Sequence, residues 1–109
     1  MRHYEIIILP SAERNIGEAC EWIAEHDEEA AVRWYNGLME LILSLETFPE
    51  RAPLAPESKH LQREIREVFH GRRRHKYRIL FTVTESEVYV LHVRHGARAS
   101  LGGPETVGD

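Results

Sequence analysis

The spacing of apolar and polar positions changes twice along the chain and divides it into elements. Glu5-Ile6-Ile7-Ile8-Leu9 is a short β-branched run halted by Pro10, the pattern of a buried strand. Ser11 then stands where a helix N-cap belongs, with Glu13 in the first turn to meet the helix dipole. Ala12, Ile16, Ala19, Cys20 and Ile23 recur at helical spacing and predict one apolar stripe as far as about His26. Asp27 is a second N-cap, and the short gap predicts an antiparallel helical hairpin whose second arm runs to about Thr47. In that arm Ala31, Trp34, Leu38, Leu41, Ile42 and Leu45 form the main face. Val32, Tyr35, Met39 and Leu43 widen it to an arc of roughly 220°. An arc so broad is expected to be covered on two sides, by a sheet and by the first helix, with a groove for a partner as the alternative. Gly37 falls in the polar arc, a weakness of about 1 kcal/mol relative to alanine.

Pro49, Pro53 and Pro56 end the helical region and predict an extended crossing loop. Beyond it the period becomes two. Tyr77, Ile79, Phe81 and Val83 alternate with Lys76, Arg78, Leu80 and Thr82, and Glu85-Ser86 makes a turn. Val88 to Val93 is apolar on both faces and therefore central. Residues 65–70 fit a helix period, yet a strand there would pair with 76–84 through a turn near Gly71, and the strand is the reading adopted. The order is β-α-α-β-β-β: an α+β fold with an N-terminal strand and a helical hairpin packed on a mainly antiparallel four-stranded sheet. Residues 1–98 are expected to form one domain and 99–109, with Gly102-Gly103-Pro104, a loose tail.

Composition adds a compartment and a charge pattern. No apolar run is long enough to span a membrane, no secretory leader is legible at the N-terminus, and the lone Cys20 cannot form an internal disulfide, so a cytoplasmic protein is expected. Cys20 reads as core filler. The net charge of −4 is unevenly spread. Residues 1–60 hold twelve acids against five bases, and residues 61–109 hold nine bases against six acids. Five of the bases crowd into Arg72, Arg73, Arg74, Lys76 and Arg78, a patch able to attract nucleic acid or acidic protein despite the overall sign.

Several short segments fall in a distinctive order. Leu9-Pro10-Ser11-Ala12-Glu13 enters the first helix, Glu29-Ala30-Ala31 opens the second, and Leu45-Glu46-Thr47-Phe48-Pro49 closes it. Ile65-Arg66-Glu67-Val68, Tyr77-Arg78-Ile79-Leu80-Phe81 and Val90-Leu91-His92-Val93-Arg94-His95-Gly96-Ala97-Arg98 follow. Over residues 3–98 this set resembles the ParE/RelE toxin superfamily, on the ParE-like side. The resemblance implies the toxin of a type II toxin–antitoxin pair, wrapped by a cognate antitoxin and reaching operator DNA only through it. It implies one of two targets: DNA gyrase, poisoned without hydrolysis, or translated mRNA on the ribosome, cleaved without a metal.

Metal-free RNA cleavage needs convergent Arg or Lys side chains and an acid or base. A nuclease would draw on Arg78, Arg94, His95 and Arg98, but the terminal tyrosine and the paired lysines of RelE-like cleavage are missing. Whether Arg78 meets Arg94 depends on register. A strict two-residue loop at 85–86 sets Arg78 opposite Val93, and a three-residue loop brings Arg94 to its face. His92 and His95 point to opposite faces of a strand, and His70 and His75 lack further ligands, so no metal or cofactor is expected. The reading favoured is therefore a gyrase poison, with Arg72, Arg73, Arg74, Lys76, Arg78 and Arg98 meeting the target and no membrane involved. A toxin fold that keeps only antitoxin binding is the other alternative. Trp22, Trp34 and Tyr35 on the helical hairpin are the antitoxin-facing candidates, although Trp22 is also expected to pack between the helices.

Overall fold

The computed structural model describes residues 3–71 and 76–96. Its elements are β1 (Glu5–Ile8), α1 (Pro10–Ala24), α2 (Glu28–Leu43), α3 (Glu57–Leu61), β2 (Arg66–His70), β3 (Tyr77–Val83) and β4 (Glu87–His95). The sheet order is β1-β4-β3-β2, with β1 parallel to β4 and the other neighbours antiparallel. The α+β architecture read from the sequence is the one present, and β4, apolar on both faces, is internal.

Two helix starts differ in kind. Asp27 caps α2 as expected, its Oδ1 accepting from the Ala30 N–H at 3.1 Å. At α1 the cap is Leu9 rather than Ser11, because Pro10 is pre-shaped for the first helical position and needs no acceptor there. The Ser11 hydroxyl is thereby released to donate to the Leu91 carbonyl at 2.7 Å. Asn15, one turn on, accepts the Val93 N–H at 3.0 Å. Residues four apart on a helix are separated by about 6 Å, close to the two-residue step of a strand at about 6.6 Å. Ser11 and Asn15 thus satisfy the edge of β4 where it runs on past the end of β1.

The proline segment is not the extended loop the sequence predicts. Pro49–Arg51 forms a 3₁₀ turn, and Pro56 precedes α3, since proline that breaks a helix interior is well suited to a first turn. The end of α2 also tightens into a 3₁₀ turn at Ser44–Glu46. Arg51 ties this corner, its Nη1 donating to the carbonyls of Thr47 at 2.7 Å and Phe48 at 3.1 Å. Between the turns the chain skirts β2, with Glu67 N–H donating to Pro53 O and Ala55 N–H to Ile65 O. The 65–70 segment is a strand, as adopted, and Gly71 leaves it at φ 116°, a backbone state natural to glycine.

The helical hairpin lies on one face of the sheet. Ala12, Ile16, Ala19, Leu38 and Ile42 pack there with Tyr77, Ile79, Val90 and Val93, and half-buried Cys20 joins them as core filler. Tyr4, Leu45, Phe81 and Val88 extend this core towards the far end. The opposite face carries a smaller cluster of Ala55, Ile65 and Leu80, with Leu91 against it. The sheet and α1 both pack on α2 as expected, but they do not cover its whole apolar arc: Val32, Tyr35 and Leu43 stay exposed. Trp22 does not pack between the helices; it is 52% exposed and stacks at a tilt on His26.

Gly37 has a positive role that its place in the polar arc concealed. A Cβ there would come within 2.8 Å of the His70 ring, which is held by a 2.9 Å hydrogen bond from Nε2 to the Trp34 carbonyl. Gly17 in α1 has nothing within 4 Å of such a Cβ. Gly17→Ala should therefore raise stability by about 0.5–1 kcal/mol through helix propensity. Gly37→Ala should lower it by about 1 kcal/mol because the overlap exceeds the same gain. Thermal melts of the two variants check this, and adding His70→Ala to Gly37→Ala should recover part of the loss. A raised melting temperature for Gly37→Ala alone would mean that the His70 ring yields freely.

Candidate functional site

The β3–β4 hairpin decides which chemistry-bearing side chains meet. Thr84 N–H donates to Glu87 O at 2.8 Å, so the loop has the two residues Glu85 and Ser86. Val83 pairs with Val88, Thr82 with Tyr89 and Phe81 with Val90. The next pair is Leu80 with His92, so Leu91 is an extra residue, a bulge in β4. From there Ile79 faces Val93, Arg78 faces Arg94 and Tyr77 faces His95. A two-residue loop alone would have set Arg78 opposite Val93. The bulge supplies the shift that the sequence reading had reserved for a longer loop.

Arg78 and Arg94 therefore share the face that carries α3, and both are buried. Arg78 is enclosed by carboxylates. Its Nη1 and Nη2 donate to Glu57 Oε2 and Oε1 at 2.9 and 2.7 Å, a bidentate pair. Nε and Nη2 also donate to Glu67 Oε1 at 3.1 and 2.8 Å. The Arg78 side chain is 9% exposed and that of Glu57 is 0% exposed. Burial works against the guanidinium charge, but the hydrogen bonds and charges of Glu57 and Glu67 outweigh it and push the Arg78 pKa up. Expected on the sequence to meet a target or a phosphate, Arg78 is instead turned inward, joining α3, β2 and β3.

His95 lies on the other face, with the helices. Its ring meets Tyr77 edge-on at 5.2 Å, Tyr77 meets Trp34 at 4.9 Å, and Trp34 lies 5.7 Å from His70. This aromatic row ties α2 to three strands. Arg78 and His95 are consequently not brought together, and His92, opposite Leu80, is on the face away from His95. His92 stands beside Asn15, Nδ1 to Oδ1 at 3.3 Å. Burial first, then the charges of Arg94 and Arg14, push its imidazole below the ordinary range. Among the described residues no three metal-ligating side chains gather at one point.

Of the remaining basic candidates, Lys76 alone lies among the described residues. Lys76 is exposed at the start of β3, and its carbonyl accepts the Gly96 N–H at 2.7 Å, joining the two strand ends. Arg72, Arg73, Arg74 and Arg98 lie outside the described residues. On the helical hairpin Tyr35 is exposed and Trp34 is half-buried in the aromatic row. Glu57 and Glu67, missed from the sequence, are what give Arg78 its role. Glu67 was within reach of inference, since pairing through the Gly71 turn places it diagonal to Arg78. Glu57, in a proline-flanked segment, carried no such signal.

No helix among the described residues is long and apolar enough to cross a membrane. No curated protein matches the chain closely enough to count as a relative. A family model described as "ParE toxin of type II toxin-antitoxin system, parDE" matches residues 6–100, which is most of the chain. Together with the strand, helical hairpin and four-stranded mixed sheet, this match makes the chain a member of the ParE toxin family of type II toxin–antitoxin systems.

Proposed function

We propose that this toxin acts in the cytoplasm by binding and poisoning DNA gyrase, performs no bond cleavage itself, and is silenced by its antitoxin on the helical hairpin. The observation that carries the reading is the enclosure of Arg78. A guanidinium with four of its five N–H donors committed to two carboxylates, one of them fully buried, is poorly placed to clamp a pentavalent phosphate. The imidazole best placed in the sequence to move a proton, His95, is on the opposite face. Phosphodiester cleavage depends on such groups converging within hydrogen-bond reach of one phosphate. A surface that binds a protein–DNA complex needs only exposed charge and shape; Lys76 is exposed beside β3, and Arg72, Arg73 and Arg74 lie within four positions of it in the sequence.

The test is a paired assay on the full chain without its antitoxin. Gyrase supercoiling should be inhibited at protein concentrations that leave translated mRNA uncut in a ribosome-containing extract. New cuts in mRNA with unimpaired supercoiling would replace this reading by a nuclease. Activity in neither assay would leave a toxin fold that retains antitoxin binding alone.

A further inference from the structure

The exposed side of α2 has a composition that specifies its partner. Val32, Tyr35 and Leu43 are 59%, 43% and 50% exposed, with half-buried Met39 between them. At 100° per residue these four fall within an arc of about 80°, and they run about 16 Å along the helix. Patches of exposed large apolar side chains on a soluble domain mark sites of association. The stripe is too narrow for a sheet and has the length of three turns of helix, so its occupant is a helix laid along it with apolar anchors at i, i+3 or i+4, and i+7.

The surroundings fix the sign of that helix. Residues 10–46 carry nine acids, Glu13, Glu18, Glu21, Glu25, Asp27, Glu28, Glu29, Glu40 and Glu46, against two bases, Arg14 and Arg33. All nine acids are exposed, and among the described residues none of them is in an ion pair. Glu28 and Glu46 stand in line with the stripe at its two ends, and Glu29 and Glu40 border it. An apolar stripe framed in this way repels an acidic helix and attracts a basic one. We propose that the antitoxin segment that silences this toxin is a basic amphipathic helix, rich in Lys and Arg around its apolar anchors, seated on Val32, Tyr35, Met39 and Leu43. This rests on the reading of the chain as a toxin with a protein antitoxin, and it adds the charge class and the footprint.

The experiment uses the full chain and two fluorescently labelled helical peptides with identical apolar spacing, one flanked by Lys and Arg, the other by Glu. Anisotropy titrations should give the basic peptide at least roughly tenfold tighter binding, a difference of about 1.4 kcal/mol. Its binding should weaken with salt. The variant Val32→Ser/Tyr35→Ser/Leu43→Ser should lose the binding, and Glu28→Lys/Glu29→Lys/Glu40→Lys should reverse the preference. Circular dichroism melts verify that these surface variants remain folded. Equal or tighter binding of the acidic peptide would overturn the proposal, and so would basic-peptide binding that survives the serine variant. Neither result depends on the gyrase assay, so failure of the surface and failure of the toxic activity are read separately.

Discussion

Replacing Glu57 by alanine should destabilise the protein by about 3–5 kcal/mol, the range found when one partner of a buried ion pair is removed. The carboxylate is fully buried and takes two parallel hydrogen bonds from Arg78, so its loss strands a guanidinium that only Glu67 then partly neutralises. Against a total stability of order 5–15 kcal/mol this is a large fraction, and urea unfolding followed by circular dichroism would read it as a lowered midpoint. Replacing both partners with apolar residues, Arg78→Met with Glu57→Leu, should restore most of the stability, because neither charge is then left without its counterpart. A loss below about 1 kcal/mol for Glu57→Ala would show that the pair is solvated and weak. The double variant also carries a functional readout. If Arg78 serves the fold alone, the refolded double variant stays toxic; a folded but harmless double variant would return Arg78 to the target-binding surface.

The second large effect should fall at the opposite end of the electrostatic map. Arg72, Arg73 and Arg74, all changed to glutamate, should relieve growth inhibition and weaken gyrase inhibition by roughly a hundredfold. Three charges inverted at about 1 kcal/mol each would account for that factor. The melting temperature should stay within a few degrees of the parent, in contrast to Glu57→Ala, if the three arginines face water, where charge changes usually cost within about 0.5 kcal/mol each. Undiminished toxicity would remove this patch from the mechanism and leave Lys76 and Arg98 to carry it.

Most of the architecture was legible because periodicity is a local property. The change from helical spacing to alternation located β3 and β4, and Asp27 announced the start of α2 by its own chemistry. The proline segment misled because each proline can either break a helix or open one, and only the tertiary setting decides. The apolar breadth of α2 fitted core or a partner groove equally in pattern, because periodicity cannot tell a buried apolar position from an exposed one such as Val32 or Leu43. The pairing of Arg78 was hidden for a different reason. Glu57 is twenty-one positions away, and its burial depends on how the segment before β2 folds back over the sheet. Register was the least legible feature, since Leu91 is an ordinary strand residue and no glycine marks the bulge.

That bulge also decides which side chains share a face with Arg78. Sliding β4 by one residue so that the hairpin ran without it would set Arg78 opposite Val93 and bring His95 round to the guanidinium's face. The same slide would carry Val93 out of the core beneath the helices, so the packing of that side chain opposes it. The packing of one valine thus opposes the strand alignment that would set His95 and Arg78 on one face.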